Sequence, residues 1–351
     1  MLIEKEIPID DMSFYKYIDP SEICFDIETT GLNKKYSHIT VIGCGCIREH
    51  SVVFKQWLLE DPAEEREMLI GFSDYLKNFD SIIQFNGNSF DIPYTAERCR
   101  LHGLPDPFDG MSLTDLYRSA KRLANVSSLE NFKQKSLEKL FCIKRKDRIS
   151  GRDCIFAYQD YLRYKNPRAR DALLLHNEED VLGLLKIYAL HDLDTIADSF
   201  SIDKAEVSDS IELSFTLRRE LPFLISHRDT EYSISISKNK GKLILYPLFC
   251  VRKFFFQNYR EYYYLPDEDR AIHKSVGAYV DPAHRQKAVK ANCYEKMNDC
   301  FFKQYGDDIQ PAFKEDIKDK AFWFRSGDIG KASKEQLHSL CRNYLKHIFK
   351  L

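Results

Sequence analysis

Residues 25–31 read Phe-Asp-Ile-Glu-Thr-Thr-Gly, so that Asp26 and Glu28 are separated by a single residue. On an extended strand, residues two apart point to the same side, and both carboxylates converge on one face. Like charges held together raise each other's pKa, and a hard divalent cation between them relieves the repulsion. A solvated strand face is the alternative for a bare pair of this kind. Here Ile23, Phe25 and Ile27 supply an apolar opposite face, and Thr29-Thr30-Gly31 offers a turn where backbone can approach a phosphate.

Two later segments add acids of the same type. Residues 84–93, Gln-Phe-Asn-Gly-Asn-Ser-Phe-Asp-Ile-Pro, run from a strand end through a glycine turn to Asp91 at a helix start, where helix capping is the competing role. Residues 176–181, His-Asn-Glu-Glu-Asp-Val, place His176 and Asp180 four apart and therefore on one face of a helix. One such side chain can hold a metal while the other manages protons. A charged, solvated helix face is the plainer reading of this stretch taken alone.

The elements that must position these residues follow from periodicity. Residues 22–28, 38–47 and 51–59 alternate as strands with short gaps, which suits an antiparallel meander. Residues 63–79 carry Met68, Leu69, Phe72, Leu76 and Phe79 at helical spacing, and residues 81–85 form a short apolar strand after this crossover. A long helix over residues 168–191 closes the first domain. Beyond Asp198, residues 211–215, 232–236 and 242–256 read as strands, and the chain ends in a helix capped by Ser333 with Gln336 completing a capping box. Domains of 1–198 and 199–351 result.

The ordered set of D-x-E on an early strand, N-G-x-x-F-D after a later one and H-x-x-x-D on a closing helix resembles the DEDD exonuclease superfamily. Within it the chain is most similar to YprB-type RNase H-like proteins, with further support from Ser112-Leu113-Thr114-Asp115-Leu116-Tyr117, from Leu137 to Leu140 and from Ile149-Ser150-Gly151-Arg152; the resemblance spans residues 20–195. It implies an α/β fold: an RNase H-like mixed β-sheet flanked by helices, followed by a smaller α+β C-terminal domain. It also implies a metal-dependent 3′-5′ exonuclease, with Asp26, Glu28, Asp91 and Asp180 as ligands of two divalent ions, Mg²⁺ or Mn²⁺, and Asp26 bridging both. Two ions about 4 Å apart serve phosphodiester hydrolysis. His176 orients or deprotonates the attacking water. The last motif has the spacing of the tyrosine-containing subgroup with histidine in its first place.

Substrate contacts are assigned to Thr29, Asn86, Lys144, Arg145 and Arg152, the last three within a basic run that includes Lys133, Lys135, Lys139, Lys146 and Arg148 and could track a phosphate backbone. A solvated loop is the alternative. The partner implied is the 3′ end of DNA or RNA. A non-catalytic nucleic-acid-binding module that recruits a partner through its C-terminal domain is the rival reading, and an enzyme of small phosphodiesters a second. The Tyr-rich run at 259–264 is expected to pack in a core rather than stack bases.

Composition bounds these readings without choosing among them. With 52 basic and 54 acidic residues the net charge is -2, so nucleic-acid binding has to come from local clusters. The ten cysteines include no C-x-x-C pair, which predicts neither disulfides nor a structural zinc. The N-terminal residues lack a basic stretch followed by an apolar one, and no apolar run reaches the roughly 18 residues of a membrane span. A cytoplasmic protein without membrane association is expected.

Overall fold

The computed structural model describes residues 1–351. Its first strand, β1 (Leu2–Pro8), goes beyond the sequence expectation: it lies at a sheet edge with most side chains in solvent, leaving no apolar alternation to read. The meander follows as β2 (Glu22–Thr29), β3 (Ile39–Arg48) and β4 (Ser51–Leu58), then helix α1 (Glu65–Leu76) and strand β5 (Ser81–Gln84). Helix α2 (Asp91–Leu101), strand β6 (Ser112–Asp115) and helices α3 (Leu116–Ala120), α4 (Gln134–Leu140), α5 (Gly151–Tyr164) and α6 (Pro167–Ile187) complete the first part.

These strands make one mixed sheet in the order β1-β4-β3-β2-β5-β6. The first three pairings are antiparallel, whereas β2–β5 and β5–β6 are parallel, as crossovers through α1 and α2 require. Helices cover both faces. On one, Phe25 stacks on Phe72 of α1 at 5.1 Å, and Cys46 lies against Tyr75. On the other, α6 crosses β3 at Gly43 and Gly45, where an added β-carbon would strike Asn177 and lie 2.9 Å from Val181. Asn177, Val181 and Leu185 repeat every four residues along α6, so the two glycines seat one stripe of that helix directly on the sheet.

The chain folds as two compact units, residues 1–124 with 128–194 and residues 125–127 with 195–351. The division falls inside a 3₁₀ run, Tyr188–Asp198, that continues from α6. The second unit is α+β. It contains β7 (Phe200–Val207), β8 (Ile211–Arg228), β9 (Tyr232–Leu245), β10 (Leu248–Phe255), β11 (Tyr262–Leu265), β12 (Arg270–His273), helix α7 (Lys274–Gly277), β13 (Gln286–Lys287), β14 (Tyr294–Gln304), β15 (Phe322–Arg325) and helix α8 (Lys334–Phe349). They form three three-stranded sheets.

The apolar run at 242–256 is two strands in different sheets, not one, because Pro247 has no N–H to continue the ladder. Tyr262 stacks on Phe256 at 4.4 Å, and the Tyr-rich run packs around Ala271, Ala288 and Cys293. Helix α8 begins at the expected Ser333–Gln336 capping box and buries Leu340, Cys341, Tyr344, Leu345 and Ile348. No helix is long and apolar enough to cross a membrane.

Candidate metal centre

Asp26 sits opposite Gly43 and Glu28 opposite Val41, so both acids share the sheet face that α6 covers. The approach of α6 at Gly43 brings Asp180 over them: one carboxylate oxygen from each of Asp26, Glu28 and Asp180 lies within 4.8 Å of the others. Asp91 is the first residue of α2 and does not cap it; its carboxylate turns toward β2 and accepts from the Ile27 amide at 3.4 Å. The acid predicted for a helix start thus stands beside the strand residue lying between the other two acids.

Electrostatics matches this crowding. Burial, then repulsion from Asp180, Asp91 and Glu28, pushes Asp26 well above the usual carboxylate range, against a hydrogen bond from Asn177. Glu28 is pushed up by burial and by Asp180. Asp91 rises to about 7, chiefly through burial, with Asp115 and Asp180 adding to it against the backbone amides that bond it. The donors here are carboxylate oxygens, of which Asp180 pairs with Arg145 while Asp26 and Glu28 have no arginine or lysine partner, and such a set fits hard divalent cations such as Mg²⁺ or Mn²⁺.

Every residue of the segment from His176 to Asp180 has a separate task. His176 is buried, its Nδ1 2.8 Å from Asp147, and its Nε2 faces Glu28 at 3.6 Å and Asp180 at 3.4 Å. Asn177 donates to the Asp26 carboxylate at 2.9 Å and is held in turn by Gln56 at 2.8 Å. Glu178 pairs with Lys5 of β1. Glu179 accepts from the backbone amides of Lys146 and Asp147, which fixes the loop before α5 against the helix.

The substrate residues named from sequence occupy different surroundings. Thr29 is buried and donates to the Gly31 carbonyl at 3.0 Å. Asn86 is exposed with a left-handed backbone, φ 60°, and its amide is held by Asp115 at 2.8 Å. Lys144 and Arg152 are exposed. Arg145 instead turns inward, pairing with Glu138 at 2.7 Å, with Asp147 at 3.5 Å and with Asp180.

Sequence reasoning passed over Asn177, Asp147, Cys154 and Glu138. Cys154 is buried on α5, and its sulfur lies within 4.8 Å of donor atoms of Glu28 and His176. The one available signal was the Ser150–Asp153 capping box, present in the structure, which fixes the start of α5 and so places Cys154 in its first turn.

The family model described as RNase_H superfamily matches residues 23–191. An uncharacterized protein, YprB of Bacillus subtilis, is 30% identical over 176 residues, covering 47% of this chain and 40% of that protein. DNA polymerase 1 of Aeropyrum pernix is 31% identical over 80 residues, 23% of this chain and 7% of the polymerase. The chain therefore spans less than half the length of either relative. Among solved structures, the family B DNA polymerase of Pyrobaculum calidifontis matches with a TM-score of 0.40 and 18% identity, covering 50% of this chain and 26% of its own. The zinc-bound E. coli ExoI–ssDNA complex matches with a TM-score of 0.29 and 14% identity, covering 57% and 55%.

Proposed function

We propose that residues 23–191, which match the RNase H-like family model and resemble YprB, form a metal-dependent 3′-5′ exonuclease domain that hydrolyses phosphodiester bonds of single-stranded nucleic acid. The observation that carries this reading is the convergence of Asp26, Glu28 and Asp180, with Asp91 beside them, on the sheet face under α6.

Asp26, Glu28, Asp91 and Asp180 would hold two divalent ions. When bound, such ions supply positive charge to the phosphoryl and departing oxygens and make the attacking water more acidic. The remaining work belongs to side chains. Asp147 is held below the usual carboxylate range, against burial, by Lys135 and the Ile149 amide. As an ionised acceptor it takes a hydrogen bond from the Nδ1–H of His176, which keeps its proton, so in that tautomer Nε2 is the nitrogen that faces Glu28 and Asp180 with a lone pair. That nitrogen can orient the attacking water and accept its proton. Asn177 fixes the Asp26 carboxylate, and exposed Lys144 and Arg152 are the groups we assign to phosphates of the strand.

The test is purified protein with Mn²⁺ and 5′-labelled single strands of DNA and RNA, with chelator and Asp26→Asn controls. A ladder shortening from the 3′ end is expected, with Asp26→Asn slower by at least about a thousandfold, roughly 4 kcal/mol of transition-state stabilisation. An unchanged rate in Asp26→Asn contradicts the assignment.

A further inference from the structure

The carboxylate cluster is not the whole of the donor set. Glu28 also belongs to a second group, with Cys154 and His176, whose donor atoms all lie within 4.8 Å of one another and whose three residues are all buried. We propose that Glu28, Cys154 and His176 form a zinc-selective site that competes with the hard-metal centre for Glu28.

The donor chemistry separates the two occupants. Asp26, Glu28 and Asp180 offer only carboxylate oxygens, the preference of Mg²⁺ and Mn²⁺. Glu28, Cys154 and His176 offer one oxygen, one sulfur and one imidazole nitrogen, a borderline-soft set that suits Zn²⁺. Zinc bonds of roughly 2.0–2.3 Å at tetrahedral angles put neighbouring donors about 3.3–3.7 Å apart. The His176 Nε2–Glu28 distance, 3.6 Å, already has that spacing. Asp180, 3.4 Å from the same nitrogen, or a water can take the fourth position.

The imidazole is also prepared for a metal. Asp147 accepts from Nδ1 at 2.8 Å, a carboxylate–histidine pairing that fixes the tautomer and leaves Nε2 as the ligand atom. Asp147 is itself anchored by Lys135 at 2.9 Å, so the ring is oriented from outside the cluster. Coordination replaces the thiol proton of Cys154 with a Zn–S bond, and the proton leaves to solvent. Residue spacing alone gives no hint of this site, because its three ligands come from β2, α5 and α6.

Cobalt reports on it directly. Metal-free protein in saturating Mg²⁺ is titrated with Co²⁺ and followed by absorption. The wild type should develop an intense near-ultraviolet thiolate-to-cobalt charge-transfer band with the visible bands of four-coordinate Co²⁺, and Zn²⁺ should abolish both. Cys154→Ser should lack the charge-transfer band, Asp147→Asn should bind Zn²⁺ about 10–100-fold more weakly, and Asp26→Asn should keep the band. Cobalt bound without the band in the wild type, or a band that persists in Cys154→Ser, overturns the proposal. Should Cys154→Ser fail to fold, X-ray absorption of the zinc-loaded wild type decides: one sulfur at about 2.3 Å supports the site and its absence sinks it.

The inhibitory consequence rests on the phosphodiesterase reading, whereas binding does not. Zn²⁺ added to the Mn²⁺-driven reaction should inhibit the wild type, and half-inhibition of Cys154→Ser should need at least about tenfold more. A charge-transfer band in a protein with no hydrolytic activity would leave the zinc site standing and the nuclease reading refuted.

Discussion

Glu65 and Asp26 are acids of the same unit, the first fully buried and the second half-buried, and the structure handles them in opposite ways. Glu65 has no exposed surface. Its carboxylate accepts from Arg98, from the Ile39 amide at 2.9 Å, from His38 at 2.7 Å and from His102 at 3.1 Å. Burial alone would raise its pKa, yet Arg98, the amide and the two histidines hold it at about 2. Asp26 has three acids for neighbours and one amide donor, Asn177, and its pKa moves upward. A buried acid with complementary donors is a structural fixture, whereas an acid crowded among acids leaves a charge deficit for something outside the chain to fill.

Neutralising each acid is the largest way to break this contrast. Glu65→Gln strands the Arg98 guanidinium, only 5% exposed, and should cost about 3–5 kcal/mol in urea unfolding. Asp26→Asn relieves repulsion, so in chelator its midpoint should equal or exceed that of the wild type. A destabilisation of Asp26→Asn comparable to that of Glu65→Gln would erase the distinction.

Acid gives a second, somewhat smaller difference. The folded pKa of Glu65 lies below its unfolded value of 4.5. Its contribution is therefore fully present above that value and is lost as pH falls from about 4.5 toward about 2, on the order of 3 kcal/mol in all. The stability gap between wild type and Glu65→Gln should close over that window, and a gap that stays constant to pH 2 would show that Glu65 is not depressed.

Divalent ions sharpen the comparison from the other side. Mn²⁺ at a hundred times its dissociation constant should stabilise the wild type by about 2.7 kcal/mol. Glu65→Gln should keep that increment, and Asp180→Asn should lose most of it in thermal melts with and without chelator. An increment retained in Asp180→Asn would place the ion elsewhere.

The sequence was informative where function follows a local period. The alternation around Asp26 and Glu28, the four-residue step from His176 to Asp180 and the Ser333 capping box each lie within one element, and each element was found. Glu65, in the charged run Glu64-Glu65-Arg66-Glu67, looks like any solvated helix start, and only the fold brings Arg98, His38 and His102 to it. Asp147 and Cys154 escape for the same reason, since their partners lie on β2 and α6. Arg145 stands in a basic run that reads as an outward phosphate track, yet Glu138, Asp147 and Asp180 draw its guanidinium inward.

The smallest predicted effect concerns what keeps the two regions apart in kind: the seat of α6. A β-carbon at Gly45 would lie 2.9 Å from Val181 and 3.3 Å from Leu185, both fully buried, and a β-branched neighbour has little freedom to yield. Gly45→Ala should cost about 1–3 kcal/mol. Since Val181 follows Asp180 directly, relief by lifting α6 draws that acid from Asp26 and Glu28, so Mn²⁺ stabilisation should shrink together with global stability. Gly151→Ala is the matched control: nothing lies within 4 Å of its added carbon at the start of α5, and the change should be neutral or stabilising by up to about 1 kcal/mol, with Mn²⁺ stabilisation intact. If Gly45→Ala lowers stability and leaves Mn²⁺ stabilisation at the wild-type level, the close crossing of α6 supports packing alone, and the geometry of the acids is set by β2 and α2.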